Sequence, residues 1–307
     1  MTPEKVLLSI VIAAHNSENY VRQTLHSLIA ALDTALARCE IILVNDASTD
    51  STGAIFADFA QSVPQARYYE VEYKNIGKVR NFAIAHCLGR YVTMLDSDDV
   101  LKKGSIESII DFLEKNSPDL LLTKLHEVHH LADVDKTWKG LQPEKLSTDE
   151  AISRFLRHKD FQAHLIGQFI KRNLLLDSPI PDFNCYEDFY IFPDLLTHSR
   201  KIIFSRESHY LYIKHGSSLS NTPSAEKINN LFVCTEKMDE VFGSKFHDQV
   251  LCHWLDIYLK QKEWIVNPEQ LDTLHKKVKE THRIGFLMNS VVRFSYKRKA
   301  VKTLWKN

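Results

Sequence analysis

The sequence predicts an α/β fold in which a Rossmann-like, mostly parallel sheet is flanked by helices and followed by a C-terminal helical appendage. Two observations support this prediction. Short apolar runs alternate with amphipathic helical patterns over the first 125 residues, and polar residues follow three of the apolar runs. A β-α-β-α order places parallel strands side by side, with their carboxyl ends at one edge of the sheet. At 307 residues, the chain is long enough to bury a large core.

The elements are predicted from hydrophobic period and from turn residues. Short apolar runs predict strands at residues 7–14, 40–44, 67–71, 91–95 and 119–125. Apolar residues at three- and four-residue spacing predict helices at 21–36, 78–87 and 105–115, and a further helix for which Asp50 or Ser51 is a suitable N-cap. Residues 126–180 show no clean period, whereas helical apolar stripes resume from Ser224. We therefore predict one domain over residues 1–221, divided at about residue 125, and a helical region over 222–307.

Composition excludes several classes of protein. The formal net charge is zero, which argues against a nucleic-acid partner. The longest apolar runs are too short to cross a bilayer, and the N-terminus does not resemble a signal peptide, so we expect a cytoplasmic protein. The five cysteines have no C-x-x-C spacing and are predicted to be reduced thiols.

Three carboxylates follow the fourth predicted strand: Asp96, Asp98 and Asp99. Like charges this close repel one another, and a divalent cation among their oxygens removes the repulsion. Ligands of open α/β sheets bind at this edge, so the group predicts Mg²⁺ or Mn²⁺ carrying a diphosphate. The alternative is a solvated turn that caps the helix at Ser105.

Polar residues also follow other predicted elements on the same edge. Asp46 ends the second strand, where a carboxylate can accept hydrogen bonds from a nucleobase or ribose, although an Asx turn needs no more than this. Asn75, Lys78 and Arg80 surround a glycine just before a helix, where backbone N–H groups and cations can hold an anion.

Two later segments carry candidate catalytic residues. Glu187 and Asp188 lie among aromatic residues, which can raise the pKa of a carboxylate toward that of a general base; the alternative is a solvent-facing helix start. A strand at 210–213 is followed by Lys214, His215 and Ser217, which can contact phosphates or Mn²⁺, although His215 alone is compatible with an ordinary surface histidine.

Taken together, residues 8–16, 42–50, 75–81 and 95–99 resemble the family 2 glycosyltransferases of the GT-A fold. Residues 168–175, 187–188 and 215–220 are similar to later landmarks of that family, and the resemblance covers roughly residues 6–221. The chain departs from the family in having His15 where tyrosine is frequent, and in a shorter segment between Gly77 and Arg80.

The resemblance implies an inverting transferase that moves a sugar from a nucleotide-diphosphate donor, commonly UDP-linked, to an acceptor hydroxyl in surface polysaccharide or glycoconjugate synthesis. Residues 1–125 then form the nucleotide-sugar-binding half, and 126–221 the acceptor and catalytic-base half. Asp188, with Glu187 beside it, corresponds to the general base, and the cofactor is Mn²⁺ or Mg²⁺. The implied metal ligands are Asp96, Asp98, Asp99 and His215. The implied donor-binding residues are Ala14, Asn16, Asp46, Asn75, Lys78, Arg80, Asp96, Ser97, Lys214 and Ser217.

Two other functions are compatible with parts of the sequence. A nucleotidyltransferase shares the nucleotide-binding sheet and the acidic site, but it usually has a glycine-rich basic loop after the first strand, which residues 13–17 lack. A non-catalytic protein that binds sugar nucleotides is the other alternative, against which the joint presence of Asp46, Asp98 and Asp188 argues.

The C-terminal segment is strongly basic. From Thr281 to Asn307 the chain has seven lysines and arginines and no Asp or Glu, interleaved with apolar residues. Such a segment is typical either of a solvated helix or of attachment to an anionic membrane surface, near a glycan or lipid-linked acceptor at the cytoplasmic face.

Overall fold

A mixed sheet lies at the centre of the computed structural model, which describes residues 6–129, 131, 134–214 and 224–304. Within those residues the sheet has nine strands in the order β3-β2-β1-β4-β8-β6-β9-β5, with β7 paired to β9. The strands are β1 (Leu8–Ala14), β2 (Cys39–Asp46), β3 (Ala66–Val71), β4 (Tyr91–Met94), β5 (Val100–Leu101), β6 (Leu120–Val128), β7 (Pro143–Leu146), β8 (Phe169–Lys171) and β9 (Ile202–Ile213).

The first four strands in space confirm the predicted parallel sheet. β1 pairs in parallel with both β2 and β4, and β2 pairs in parallel with β3. Ala14 lies opposite Asn45, and Val11 lies opposite Met94, so the chain leaves these strands at a common edge. The remaining strands extend the sheet with antiparallel pairings of β8, β5 and β7, although β6 and β9 are again parallel. The inner strands of the parallel half are largely apolar because helices cover both of their faces, and all eight residues of β2 are buried.

The helices include those predicted, and several more. They are α1 (Val21–Leu32), α2 (Thr52–Ser62), α3 (Ile76–His86), α4 (Ser105–Asn116), α5 (Thr148–Leu156), α6 (Arg172–Asp177), α7 (Glu187–His198), α8 (Ala225–Lys260), α9 (Pro268–Glu280), α10 (Ile284–Met288) and α11 (Phe294–Leu304). The first helix is shorter than the predicted 21–36. It ends at Leu32 because Asp33 has a φ of 45°, which a continuing α-helix does not allow, and a 3₁₀ turn follows.

The C-terminal helices share the hydrophobic core of the rest of the chain. α8 packs against α7, and its buried side chains, among them Phe232 and Trp254, belong to the same cluster as the strands. Gly243, with a φ of 63°, breaks the helical path inside α8. The predicted boundary between residues 221 and 222 lies outside the described residues. No helix in the described ranges combines the length and apolar character needed to cross a membrane.

The beginning of α3 packs closely against the loop that precedes α7. Asn75 Nδ2 donates to the carbonyl oxygen of Asp182 at 3.1 Å, and Asn81 exchanges two hydrogen bonds with the backbone of Ile180, at 2.7 and 3.0 Å. Gly77 makes this approach possible, since a Cβ added there would lie 2.0 Å from the carbonyl oxygen of Pro181. The loop before α7 is thereby held to the parallel half of the sheet.

We expect Gly77→Ala to lower the free energy of unfolding by about 1–3 kcal/mol, because the new methyl group must displace backbone. Gly285→Ala is the matched control: a Cβ at this helical glycine meets nothing within 4 Å, so we expect a neutral effect or a gain of up to about 1 kcal/mol. Urea unfolding followed by circular dichroism measures both. Equal stabilities for the two variants would contradict the close contact.

Candidate active site

A cleft of about 570 Å³ opens at the carboxyl edge of the parallel strands and reaches the C-terminal helices. The loop after β4 contributes Asp96, and the first turn of α7 contributes Glu187 and Asp188. The opposite side includes residues of α8, among them His253, Asp256 and Lys260. The cleft thus brings the acidic loop and the predicted base pair together, although they are about ninety residues apart in sequence.

Arg80 joins these carboxylates. Its side chain is buried on α3, and Nη1 donates to Glu187 Oε1 at 2.7 Å and to Asp188 Oδ1 at 2.6 Å. Its Nη2 lies 3.5 Å from Asp96 Oδ1. From the sequence we expected Arg80 to bind the phosphates of the donor. In the structure its guanidinium contacts three carboxylates of the protein itself.

The acid cluster has shifted proton affinities. Burial, followed by repulsion from Asp188, raises the pKa of Glu187 to about 7, while Arg80 opposes the rise. Burial also raises the pKa of Asp96 to about 6; repulsion from Asp98 and Asp188 adds to the effect, and Arg80 again acts against it. Burial alone lowers the pKa of Arg80, but the carboxylates of Asp188, Glu187 and Asp96 outweigh burial and raise it. Arg80 therefore faces three carboxylates, and the pKa values of two of them, Glu187 and Asp96, are raised.

The backbone at the start of α7 holds the two acids in place. Tyr186 precedes the helix with a φ of 70°, a left-handed conformation that is strained for a bulky side chain. Glu187 and Asp188 follow in the first turn, where unpaired helix N–H groups favour negative charge. The backbone N–H of Leu165 donates to Asp188 Oδ2 at 3.0 Å. Each oxygen of Asp188 thus has one donor, which fixes the carboxylate and leaves lone pairs for a further proton.

Asp99 has a different environment from its neighbours in the acidic loop. It is fully buried, and it accepts hydrogen bonds from the Tyr210 hydroxyl at 2.6 Å and from the Ile213 backbone N–H at 2.7 Å. Burial, with repulsion from Asp96, raises its pKa to about 8. The Tyr210 oxygen also accepts from the Asp96 backbone N–H at 3.0 Å. Asp99 therefore ties β9 to the acidic loop and has no exposed oxygen to support the predicted metal contact.

Asp46 likewise holds backbone. Its Oδ1 accepts from the backbone N–H groups of Tyr73 and Lys74 at 2.7 and 2.9 Å, and its Oδ2 accepts from that of Asn75 at 3.2 Å. This carboxylate therefore fixes the loop that leads into α3, whereas the sequence suggested a contact with the nucleobase or ribose. That contact stays a prediction, and it would have to share oxygens that already have partners.

Asn75 and Lys78, which were predicted to bind the diphosphate of the donor, lie at the N-terminal end of α3. Asn75 caps the helix, accepting from the Lys78 backbone N–H at 3.0 Å. The Lys78 ammonium lies 3.4 Å from Asp182 Oδ2 in an exposed ion pair, which is weak in water and free to rearrange.

The loops after β1, β2 and β4 hold one another. Ala14 is buried at the end of β1, and the Asn16 backbone N–H donates to Ser48 Oγ at 2.9 Å. Ser17 Oγ and Ser97 Oγ are hydrogen-bonded at 2.8 Å. Ser97, which was predicted to bind the sugar donor, is therefore a buried link between two loops. Three predicted donor-binding segments thus form one connected edge.

The end of β9 contributes Lys214, whose Nζ lies 3.6 Å from Glu127 Oε1 and 5.1 Å from the centre of the Tyr212 ring. Its side chain is partly exposed and remains available to a ligand. The other residues predicted in this segment, His215 and Ser217, lie outside the described residues.

The carboxylates at the end of β4 suit a hard divalent cation. Asp96 and Asp98 are partly exposed, in contrast to Asp99. Within the described part of the chain, no three His, Cys, Asp or Glu side chains form a group that could hold a metal ion by themselves. Mg²⁺ and Mn²⁺ sites for phosphate substrates commonly use one or two carboxylates, and the phosphates supply further oxygens. Asp96 and Asp98 therefore fit a cation that arrives with a diphosphate.

Several residues of the cleft had no predicted role. His164 and His253 line it, and burial lowers the pKa of both, that of His253 to about 4, so both are neutral at pH 7. Asp256 lies at the α8 side of the cleft. Tyr210 does not line the cleft, but it holds the acidic loop through Asp99 and the Asp96 backbone. His164 lies in the region without a readable period, and only the position of Tyr210 just before the 214–220 segment could have drawn attention to it.

A second cavity, of about 610 Å³, adjoins the cleft. The two share Gln162, His164 and Tyr212 in their walls. The second cavity combines Lys102, Arg206 and other charged side chains with the ring of Phe161. Together they provide room for more than one sugar-sized group.

Comparison with known proteins supports the resemblance seen in the sequence. Residues 9–165 match the family model "Glycosyl transferase family 2". Among curated proteins, the chain is 25% identical over 226 residues to the minor teichoic acid biosynthesis protein GgaB of Bacillus subtilis, an alignment that covers 71% of this chain and 24% of GgaB. The chain covers less than half the length of the first three relatives that it matches.

Solved structures share the fold. The structure of Staphylococcus aureus TarS 1–349 in complex with UDP-GlcNAc superposes with a TM-score of 0.68 at 20% identity, covering 95% of this chain and 83% of that one. The mannosyltransferase PcManGT from Pyrobaculum calidifontis, in complex with GDP-Man and Mn²⁺, gives a TM-score of 0.54 at 14% identity, covering 99% and 89%. At these identities the likeness confirms the predicted GT-A type fold.

Removing the charge of Arg80 should destabilise the protein more at high pH than at low pH. The pKa of Glu187, about 7, is above its usual 4.5, so between these values the folded protein holds a proton that the unfolded chain lacks. Stability therefore falls as pH rises through this window, and it falls further without Arg80. We expect Arg80→Met to cost about 3–5 kcal/mol at pH 8, when the acids are ionised, and clearly less at pH 5.

Urea unfolding at the two pH values tests this expectation. Arg38→Met is the matched control, because Arg38 forms ion pairs with Asp111 and Glu114 that are more exposed to solvent. We expect a loss of about 1 kcal/mol or less for the control at either pH. An Arg80→Met loss that is independent of pH would show that the guanidinium does not stabilise ionised carboxylates.

Proposed function

Because the chain belongs to glycosyltransferase family 2, we propose that it transfers a sugar from a UDP-linked donor to an acceptor hydroxyl with inversion at the anomeric carbon. The observation that carries the proposal is the joining of Asp96 and Asp188 through Arg80 in one cleft. Inversion by direct displacement needs a base on the acceptor and stabilisation of the departing diphosphate on the other side of the sugar. The cleft offers a carboxylate for each task.

On the donor side, Asp96 and Asp98 would hold Mn²⁺ or Mg²⁺ together with the diphosphate. The bound cation would supply positive charge against the negative charge that develops on the leaving group. The connected loops after β1, β2 and β4 position these carboxylates, since Ser97 is fixed by Ser17 and the Asp96 backbone by Tyr210. We also propose that Ala14, Asn16 and Asp46 contact the nucleotide, that His215 is a ligand of the metal and that Ser217 contacts the phosphates.

On the acceptor side, Asp188 would take the proton of the attacking hydroxyl. Its two oxygens are held by Arg80 and by the backbone of Leu165, so the carboxylate is oriented before the acceptor arrives. Glu187 shares Arg80 with Asp188, and burial raises the pKa of Glu187 to about 7. A carboxylate that is already oriented toward the acceptor side is suited to general-base catalysis.

Two of the similar proteins support the proposed substrate classes. GgaB is named for minor teichoic acid biosynthesis, and TarS was solved with UDP-GlcNAc. We therefore propose a UDP-hexose or UDP-N-acetylhexosamine donor and an acceptor belonging to a surface polysaccharide or glycoconjugate, either a glycan or a lipid-linked sugar. The cleft and the adjoining cavity have room for such an acceptor. A cytoplasmic location, where UDP-sugars are made, remains part of the proposal.

Asp188→Asn should lower the turnover number for sugar transfer by about 10²- to 10⁴-fold, because asparagine cannot accept the proton. Binding of UDP, measured by calorimetry, should be unchanged. Glu187→Gln is the comparison: it keeps an acceptor for Arg80, and we expect a smaller loss. UDP release from a panel of UDP-sugars with candidate acceptors measures transfer. A wild-type chain that binds UDP but transfers no sugar to any acceptor would favour the non-catalytic alternative.

Chelation of divalent cations by EDTA should abolish transfer, and Mn²⁺ or Mg²⁺ should restore it, because the developing diphosphate charge then lacks its counter-ion. Asp98→Ala should raise the Mn²⁺ concentration required for half-maximal activity. Asp58→Ala, which removes an exposed carboxylate on α2, is the control and should leave that concentration unchanged. Full activity in EDTA, together with a silent Asp98→Ala, would exclude a metal-assisted reaction.

A further inference from the structure

Large apolar side chains are exposed in the C-terminal helices. The four most exposed large apolar residues of the described chain are Val266, Ile284, Met288 and Phe294, at 81%, 80%, 77% and 74%. Val291, Val301 and Leu304 are also exposed. Single exposed apolar residues are normal, but a group of them within a short stretch marks a surface that binds something apolar.

The exposure follows the helical period. Ile284 and Met288 are one turn apart on α10, while Phe286 between them is buried. On α11, Phe294, Arg298 and Val301 have the spacing i, i+4, i+7 of one helix face, and Ala300 and Thr303 face the core. Both helices therefore expose apolar side chains on their outer faces, and on α11 these lie beside the basic side chain of Arg298.

The charge of this region has one sign. Residues 281–307 contain seven lysines and arginines and no acid. Among the described residues, Arg283 pairs with Asp248 and Lys299 with Asp256, both on α8. The other described cations of this segment make no ion pair within that part of the chain: Arg293, Lys297, Arg298 and Lys302. We call Ile284, Met288, Phe294, Arg298, Val301 and Lys302 the basic apolar face.

The basic apolar face lies next to the cleft. α11 is anchored to α8 at Asp256, which accepts from the Tyr296 hydroxyl at 2.9 Å and from Lys299 Nζ at 2.6 Å. Asp256 also lines the cleft that contains Asp188. α10 is anchored two turns earlier on the same helix, where Asn289 Nδ2 donates to Asp248 at 2.8 Å. One helix thus separates the outer surface of α10 and α11 from the acceptor side of the cleft.

We propose that the basic apolar face docks on an anionic lipid bilayer and places the cleft beside acceptors carried by that membrane. A helix that binds in the plane of a membrane inserts apolar side chains into the headgroup boundary. Cations beside these side chains attract anionic lipids. A second copy of the chain is a poorer partner, because a two-fold contact would bring the unpaired cations of both copies together. Docking of the basic apolar face does not depend on the proposed reaction. The inference that docking brings acceptors to the cleft does rest on the proposed function.

Co-sedimentation of the full chain with vesicles tests the docking. The chain should sediment with vesicles of phosphatidylcholine and phosphatidylglycerol, should stay in solution with pure phosphatidylcholine, and should be released by salt. Each Lys or Arg near an anionic surface contributes about a factor of five to binding, so Arg298→Gln with Lys302→Gln should weaken it roughly 25-fold. Phe294→Ser with Val301→Ser should also release the chain from the vesicles.

Two matched controls remove similar groups elsewhere. Lys103→Gln with Lys115→Gln removes two exposed cations outside the C-terminal region, and Leu176→Ser removes an exposed apolar side chain. Both should bind the anionic vesicles as the wild type does. Hydrolysis of a UDP-sugar in solution should be the same for the face variants and the wild type, so loss of docking is distinguishable from loss of the reaction. The proposal would be overturned if the wild type bound neutral and anionic vesicles equally well, or if the face variants bound anionic vesicles as well as the controls do. It would also be overturned if the wild type were a dimer that the face variants convert to monomers.

Discussion

Arg80 places one buried positive charge against Glu187, Asp188 and Asp96, and the geometry of the cleft depends on this cluster. The three acids come from two different parts of the chain, and their mutual repulsion would drive them apart without a cation between them. Because removing one member of a buried ion cluster leaves uncompensated charge, the cluster specifies how α3, α7 and the loop after β4 are placed relative to one another. The Arg80 cluster therefore positions the proposed base and the proposed diphosphate site at the same time.

Two other acids of the sequence motifs also hold loops in place. Asp46 binds three consecutive N–H groups before α3, and Asp99 binds Tyr210 and the backbone of β9. Each fixes a loop at the carboxyl edge of the sheet, where regular strand pairing has ended. Asp96 and Asp98, by contrast, are partly exposed, as their proposed contact with a metal ion requires.

The sequence predicted the parallel half of the fold because that half consists of long elements with clear periods. It could not predict β7, β8 or α6, which have only three to six residues each and therefore carry no measurable period. For the site, the acidic loop and the pair Glu187–Asp188 were predicted from residue type and local context, and the structure places Asp96 and the pair in one cleft. The role of Arg80 was not, since its partners are more than a hundred residues away for two of the three carboxylates. Long-range charge pairing leaves no local pattern in a sequence.

The strained backbone around the cleft is consistent with a site assembled from opposing charges. Ala47, Lys74 and Tyr186 all have positive φ values, at 52°, 49° and 70°, in the segments that follow β2, precede α3 and precede α7. Such conformations persist only where surrounding contacts determine them. Asp46 supplies such contacts to the segment before α3 through three hydrogen bonds, and Arg80 supplies them to the start of α7 through its ion pairs with Glu187 and Asp188. Because Arg80 holds both Asp188 and Asp96, these carboxylates are oriented by the protein itself, which would reduce the ordering that the proposed donor and acceptor have to bring about.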